Sequence, residues 1–209
     1  MKKIINAPEN VVNEMLAGLV AANPDTLDII PEKRIILRKE RKAAGKVAVV
    51  TGSGSGHEPD QVFYVGKGMM DAACAGPVFA APTADAIYEA AKAVDTGAGV
   101  LFMVKNYTGD RGQFGMACEM CEMDDINAKI VIADDDVAVK DSTFTAGRRG
   151  VAGAILGYKI VCAAAEEGKS LDELVELANR VNANVRSMGF GLTSCTTPAK
   201  GAPTFEIGD

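Results

Sequence analysis

Lys46-Val47-Ala48-Val49-Val50-Thr51 runs directly into Gly52-Ser53-Gly54-Ser55-Gly56-His57-Glu58-Pro59. An unbroken apolar, β-branched run that stops at glycines is the pattern of a strand covered on both faces, as in a parallel sheet. The strand is therefore placed at 46–51, with the glycines in the loop leaving its carboxyl end. Strand-like runs recur downstream at 77–80, 99–105 and 129–133, and helical spacing at 83–94, 113–123, 149–167 and 171–185. Upstream, Val11, Val12, Met15, Leu16, Leu19 and Val20 give a helix within 7–22 one apolar face, and 34–38 reads as a short strand bounded by charge. Ser170-Leu171-Asp172-Glu173 is a capping box that starts the last helix. Strand and helix alternating with short loops define the α/β class: three layers, with a largely parallel sheet and helices on both faces. Beyond Arg186 the composition turns to Ser, Thr, Gly and Pro, which divides the chain into an α/β domain at 1–186 and the start of a second α/β domain at 187–209.

Composition narrows the function. Hydrophobic residues make up 48% of the 209 against 24% charged, a balance that buries a core and excludes wholesale disorder. A formal net charge of −6 argues against a nucleic-acid partner. No apolar run approaches the roughly 20 residues that cross a bilayer, and the charged start lacks the apolar stretch of a signal peptide. Five cysteines, an odd number scattered through apolar sequence, suit a reducing, cytoplasmic setting.

Three segments carry candidate chemistry. Glycines at 52, 54 and 56 allow positive φ and admit a ligand oxygen to backbone amides, with hydroxyls from Ser53 and Ser55. His57, the single histidine, stands at the end of this loop, where α/β sheets bind ligands. A dinucleotide fingerprint would need glycine at His57, and a phosphate loop would need Gly-Lys-Ser/Thr at His57-Glu58-Pro59. A nucleophile elbow fails because Ser53 stands two before Ser55, and Thr51 two before Ser53. The alternative is a Gly/Ser turn with an incidental histidine. The second segment, Val104-Lys105-Asn106-Tyr107-Thr108-Gly109-Asp110, follows another strand, and its polar groups suit a small polyol or keto-sugar. His57 with Asp110 is the expected acid/base pair, against the alternative of a solvated surface Asp110. The third, Asp134-Asp135-Asp136, offers either a Mg²⁺ site or an acidic loop balanced by Lys140, Arg148 and Arg149; the balanced loop is the reading taken, with no metal assigned. Cys118-Glu119-Met120-Cys121 has no second ligand pair nearby and reads as helix core, with Met69, Met70, Met116 and Met120 as gap-filling core.

The stretches 51–59 and 104–110, together with 134–142 through 145–150, occur in an order and spacing that closely resemble the substrate-binding subunit of the dihydroxyacetone kinase family. The resemblance spans the whole chain. It implies a homodimeric subunit that binds dihydroxyacetone and presents a hydroxyl for phosphorylation, with no cofactor on this chain. Nucleotide and Mg²⁺ are then expected on a partner kinase subunit, recharged in bacteria through the phosphoenolpyruvate phosphotransferase system. Carried over by residue, Gly54, Ser55, Gly56 and His57 line the substrate, Lys105 and Asp110 bind its oxygens, and His57 with Asp110 assists deprotonation. The family also uses a second histidine, which forms a hemiaminal with the substrate carbonyl; its place lies beyond residue 209, so the 209-residue chain is expected to be inactive alone. The alternative is a non-catalytic paralogue that senses a triose or docks to a partner subunit.

Overall fold

The computed structural model describes residues 3–138 and 147–208. Lys140 and Asp141, with Ser142, Thr145 and Ala146 of the third motif, lie outside the described residues. Eleven regular elements build the fold among those described: α1 (Val11–Ala22), β1 (Leu27–Ile30), β2 (Ile35–Arg38), β3 (Ala48–Ser55), β4 (Ala72–Val78), α2 (Ala84–Val94), β5 (Val100–Lys105), α3 (Thr108–Met123), β6 (Ala128–Ala133), α4 (Ala154–Glu166) and α5 (Leu171–Asn184).

The six strands form one sheet in the order β1-β2-β4-β3-β5-β6. Strands β4, β3, β5 and β6 are parallel, while β1 and β2 add an antiparallel margin. Every residue of β3 and β5 is buried, as the unbroken apolar runs require. One apolar layer packs Val12 and Leu16 of α1, Tyr158 and Val161 of α4 and Leu174 of α5 on the sheet. The opposite layer packs Ile87 and Ala90 of α2 with Phe114 and Ala117 of α3. The arrangement is the expected mixed α/β sandwich.

Four boundaries differ from the sequence reading, each for a physical reason. Strand β3 runs on to Ser55, because Gly52 and Gly54 are strand residues that let neighbouring backbone come close. A Cβ on Gly52 would lie 2.7 Å from the Cys74 carbonyl oxygen, and one on Gly54 2.6 Å from the Ala80 nitrogen. Of the three loop glycines only Gly56 has positive φ, +109°. Strand β4 begins at Ala72 rather than 77, since Ala-Ala-Cys-Ala-Gly carries little strand propensity and is held by burial between β2 and β3. Helix α3 begins at Thr108, five residues early, so Asp110 sits in a helical first turn rather than a loop. Helix α4 starts late, because the Asp135 carboxylate accepts from the Val151 and Gly153 amides at 3.0 and 2.7 Å and shapes the segment before it.

Asp71, which no sequence signal marked, anchors the opposite end of the sheet. Its buried carboxylate accepts from Arg38 Nη1 at 3.1 Å, Lys42 Nζ at 2.8 Å and the Val49 amide at 2.7 Å, while Arg38 also pairs with Glu166. Met116 is 47% exposed and so is not core filling, whereas Met70 is fully buried against Cys162. The capping box at Ser170 and Glu173 is formed. Residues 187–208 contribute only isolated bridges, Asp136 with Ser187 and Thr196 with Pro203.

Candidate functional site

Strand β3 remains paired with β4 through Ser55, but with β5 only through Val50 opposite Phe102. Beyond that point β3 and β5 part, and the Thr51 hydroxyl reaches across to the Met103 carbonyl at 2.7 Å. A crevice opens at the carboxyl ends of these two strands, the place where open α/β sheets hold ligands. Its first cavity, of about 350 Å³, is walled by Ser53, Gly54 and His57 after β3, Phe79 and Ala81 after β4, Tyr107, Gly109 and Asp110 at the start of α3, and Arg149. A second cavity of about 260 Å³ adjoins it across His57 and Tyr107; Lys105, Asp60, Tyr64 and Ile155 are among its walls. A roomier hollow of about 490 Å³ between α1 and β1 has no titratable wall residue, so the convergent polar groups mark the crevice instead.

His57 is held from both sides. Its Nδ1 lies 2.8 Å from the Gly54 carbonyl oxygen, and its ring stands 6.0 Å from Phe79 and 6.1 Å from Tyr107. A carbonyl only accepts, so Nδ1 carries the hydrogen and the Nε2 lone pair is left for a ligand proton. Asp110 is 3% exposed and accepts from the Ser53 hydroxyl at 2.6 Å. Burial pushes its carboxyl above the usual carboxylate range, opposed by the Ser53 hydrogen bond and the charges of Lys105 and His57. Burial also pushes the Tyr107 phenol up. Lys105, 2% exposed at the end of β5, pairs with Asp60 Oδ2 at 2.6 Å.

The expected site residues thus divide. Gly54, His57 and Asp110 share the first cavity, and Lys105 walls the second. Ser55 turns away: its buried hydroxyl donates to the Gly76 carbonyl at 2.8 Å. The exposed Gly56 amide donates to the Glu58 carboxylate at 2.9 Å. The sequence offers the Ser53 hydroxyl to a ligand, and the structure gives it to Asp110 instead, while Asp60, Tyr107 and Arg149 join the site without being expected there. Ser53 and Tyr107 stood inside the quoted motifs, whereas nothing in the spacing links Asp60 to Lys105.

The three aspartates after β6 go to separate partners. Asp134 meets Arg148, Asp135 accepts from the 151 and 153 amides and from Ser187, and Asp136 pairs with Arg149 Nη2 at 2.8 Å. This is the charge-balanced loop, with Arg148 and Arg149 as its described partners. In α3, Cys118 donates to the Ala128 carbonyl, and burial pushes the Cys121 thiol up to about 11, which leaves both as inert packing groups.

Residues 17–209 match the Dak1 domain. The chain is 51% identical over 209 residues to the dihydroxyacetone-binding subunit of PTS-dependent dihydroxyacetone kinase 1 from Listeria innocua, covering all of this chain and 63% of that protein. It is 47% identical to the corresponding subunit of the PEP-dependent kinase of Escherichia coli, covering all of this chain and 58% of that protein. The native crystal structure of the dihydroxyacetone kinase of C. freundii superposes with a TM-score of 0.86 at 36% identity, over all of this chain and 38% of that one. The chain therefore spans about three fifths of the length of these two curated relatives. With the family model matched over residues 17–209 and relatives about half identical along the whole chain, the chain belongs to the Dak1 domain family.

Proposed function

We propose that this chain forms the dihydroxyacetone-holding domain of a kinase subunit, presenting a triose hydroxyl for phosphoryl transfer from a nucleotide-bearing partner. The observation that carries the reading is His57, with Nδ1 committed to Gly54, facing Asp110 across one crevice. Nε2 accepts the proton of the attacking hydroxyl, and the imidazolium that forms is stabilised by the carboxylate of Asp110. Lys105 donates to a substrate oxygen from the adjoining wall, and Gly54 admits the ligand to bare main chain. Ser55 and Gly56 support the loop rather than touch the ligand.

The same reading places nucleotide and Mg²⁺ on the partner; the C. freundii kinase has been crystallised with AMP-PNP and Mg²⁺. A phosphotransferase-system donor fits the names of the relatives; a homodimeric assembly and a cytoplasmic setting are part of the same proposal. No helix among the described residues is long and apolar enough to cross a membrane. Those names favour the kinase subunit over the sensing paralogue.

The test is phosphorylation of dihydroxyacetone by the full-length protein with its donor subunits. His57→Ala is expected to lower kcat by about 10²–10⁴-fold, the usual contribution of a positioned acid/base group. Equal rates for variant and wild type would overturn the assignment.

A further inference from the structure

Lys105 is buried at the parting of β3 and β5, yet the one hydrogen-bonding partner of its ammonium among the described residues is Asp60, from the loop between β3 and β4. An ammonium has three hydrogens, so two remain for other acceptors. They stay beside the second cavity, which Lys105 and Asp60 both wall. Asp60 itself is doubly fixed: Oδ2 takes Lys105, and Oδ1 accepts from the Gln61 amide at 2.7 Å. Gln61 is held at φ +69° and ψ −85°, a conformation that side-chain-bearing residues rarely adopt, and its buried Nε2 has no partner among the described residues. Backbone strain of this kind persists where the surroundings impose it, and it clusters at functional sites. Here it directs the Asp60 carboxylate at Lys105.

The competing partner for Lys105 is Asp110. The two lie close enough for the Lys105 charge to act on the Asp110 carboxyl, but no hydrogen bond joins them, and Asp60 acts on Asp110 with opposite sign. We propose that Asp60 is a positioning residue that draws the Lys105 ammonium toward the second cavity, holds it there as an oxygen donor, and leaves Asp110 free to serve His57. The other titratable groups around this pair are His57, Tyr64, Tyr107, whose ring centroid is 5.9 Å from Nζ, and the buried Tyr158 of α4, with Arg149 and Asp110 on the first cavity. Among the described residues Asp60 alone hydrogen-bonds the ammonium. The proposal deepens the kinase reading and rests on it for the role of Lys105 toward substrate.

Asp60→Asn removes the charge and keeps the shape. In the full-length protein with its donor subunits, the variant is expected to raise KM for dihydroxyacetone about tenfold or more, with a smaller change in kcat. Against a Lys105→Met background the same change is expected to add less than twofold, because two residues acting as one unit are non-additive. This background also serves if Asp60→Asn alone does not fold. A substrate-independent readout accompanies the kinetics: at one fixed pH the ¹⁵Nζ resonance of Lys105 should move in Asp60→Asn relative to wild type, as the ammonium loses the carboxylate that holds it. An unmoved resonance overturns the proposal whatever the substrate is. A moved resonance with unchanged KM overturns the positioning role. A moved resonance in a protein that never phosphorylates dihydroxyacetone sinks the kinase reading, and with it the substrate role given to Lys105, while leaving the Asp60–Lys105 coupling standing.

Discussion

The Ser53 hydroxyl donates to Asp110 Oδ2 at 2.6 Å, tying the far end of β3 to the first turn of α3 across the gap where β3 and β5 separate. A hydrogen bond to a carboxylate favours its charged form. Ser53→Ala is therefore expected to raise the Asp110 carboxyl further and to move the acid limb of kcat/KM to higher pH. The loss near neutrality should stay within about tenfold, the 1–2 kcal/mol scale of one charge-assisted hydrogen bond. A pH–rate profile superimposable on that of wild type would count against the contact.

The same carboxyl links stability to pH. Its value in the folded protein is raised, chiefly by burial. A raised group contributes stability that is complete below the ordinary carboxylate range, near pH 4, and is lost as pH rises through the raised value. Asp110→Asn does not titrate and escapes that loss. The Tm of the variant relative to wild type should thus climb as pH is taken from about 4 to 7; a difference that is flat or falls would refute the assignment.

Gly76 and Gly18 make opposite predictions for the same substitution. A Cβ on Gly76 would lie 2.0 Å from the Ala80 carbonyl oxygen, whereas one on Gly18, on the exposed side of α1, would meet nothing within 4 Å. Gly76→Ala is expected to cost roughly 2–4 kcal/mol through overpacking, a fall in Tm of about 5–15 °C for a chain of this size. Gly18→Ala should stabilise by about 0.5–1 kcal/mol. Thermal unfolding of the two variants decides both, and equal effects would contradict the geometry.

Asp71→Asn would leave Lys42 and Arg38 buried without their common counter-charge. Removing one partner of a buried ion pair costs about 3–5 kcal/mol. Denaturant unfolding should show that loss, with kcat/KM below the transition little changed, because Asp71 lies at the opposite end of the sheet from His57. A large kinetic effect in the still-folded variant would show that the two ends are coupled.

Much of the architecture was legible because apolar runs such as 46–51 and 99–105 have no way to be buried except between two layers of helix. The motif after 104 and the lone histidine pointed to one shared crevice for the same reason, since both follow such strands. What stayed hidden depended on distance in the chain. Strand β4 is written in alanine and cysteine and owes its form to its neighbours, and Gly52 and Gly54 read as a turn because their close neighbours, Cys74 and Ala80, are more than twenty residues away. Asp60 and Lys105 are separated by 45 positions, and Asp71 and Arg38 by 33. No periodicity brings such charges together.

The close approach of β3 and β4 to the turn at 79–82 has a consequence for how this fold can change. At Gly52, Gly54 and Gly76 the space that a side chain would take is already filled by another stretch of main chain. Mutation has nothing to alter at those points except the backbone path itself. Any drift toward a different ligand must run through the rim, at Phe79, Tyr107 and Arg149, where side chains still face open volume.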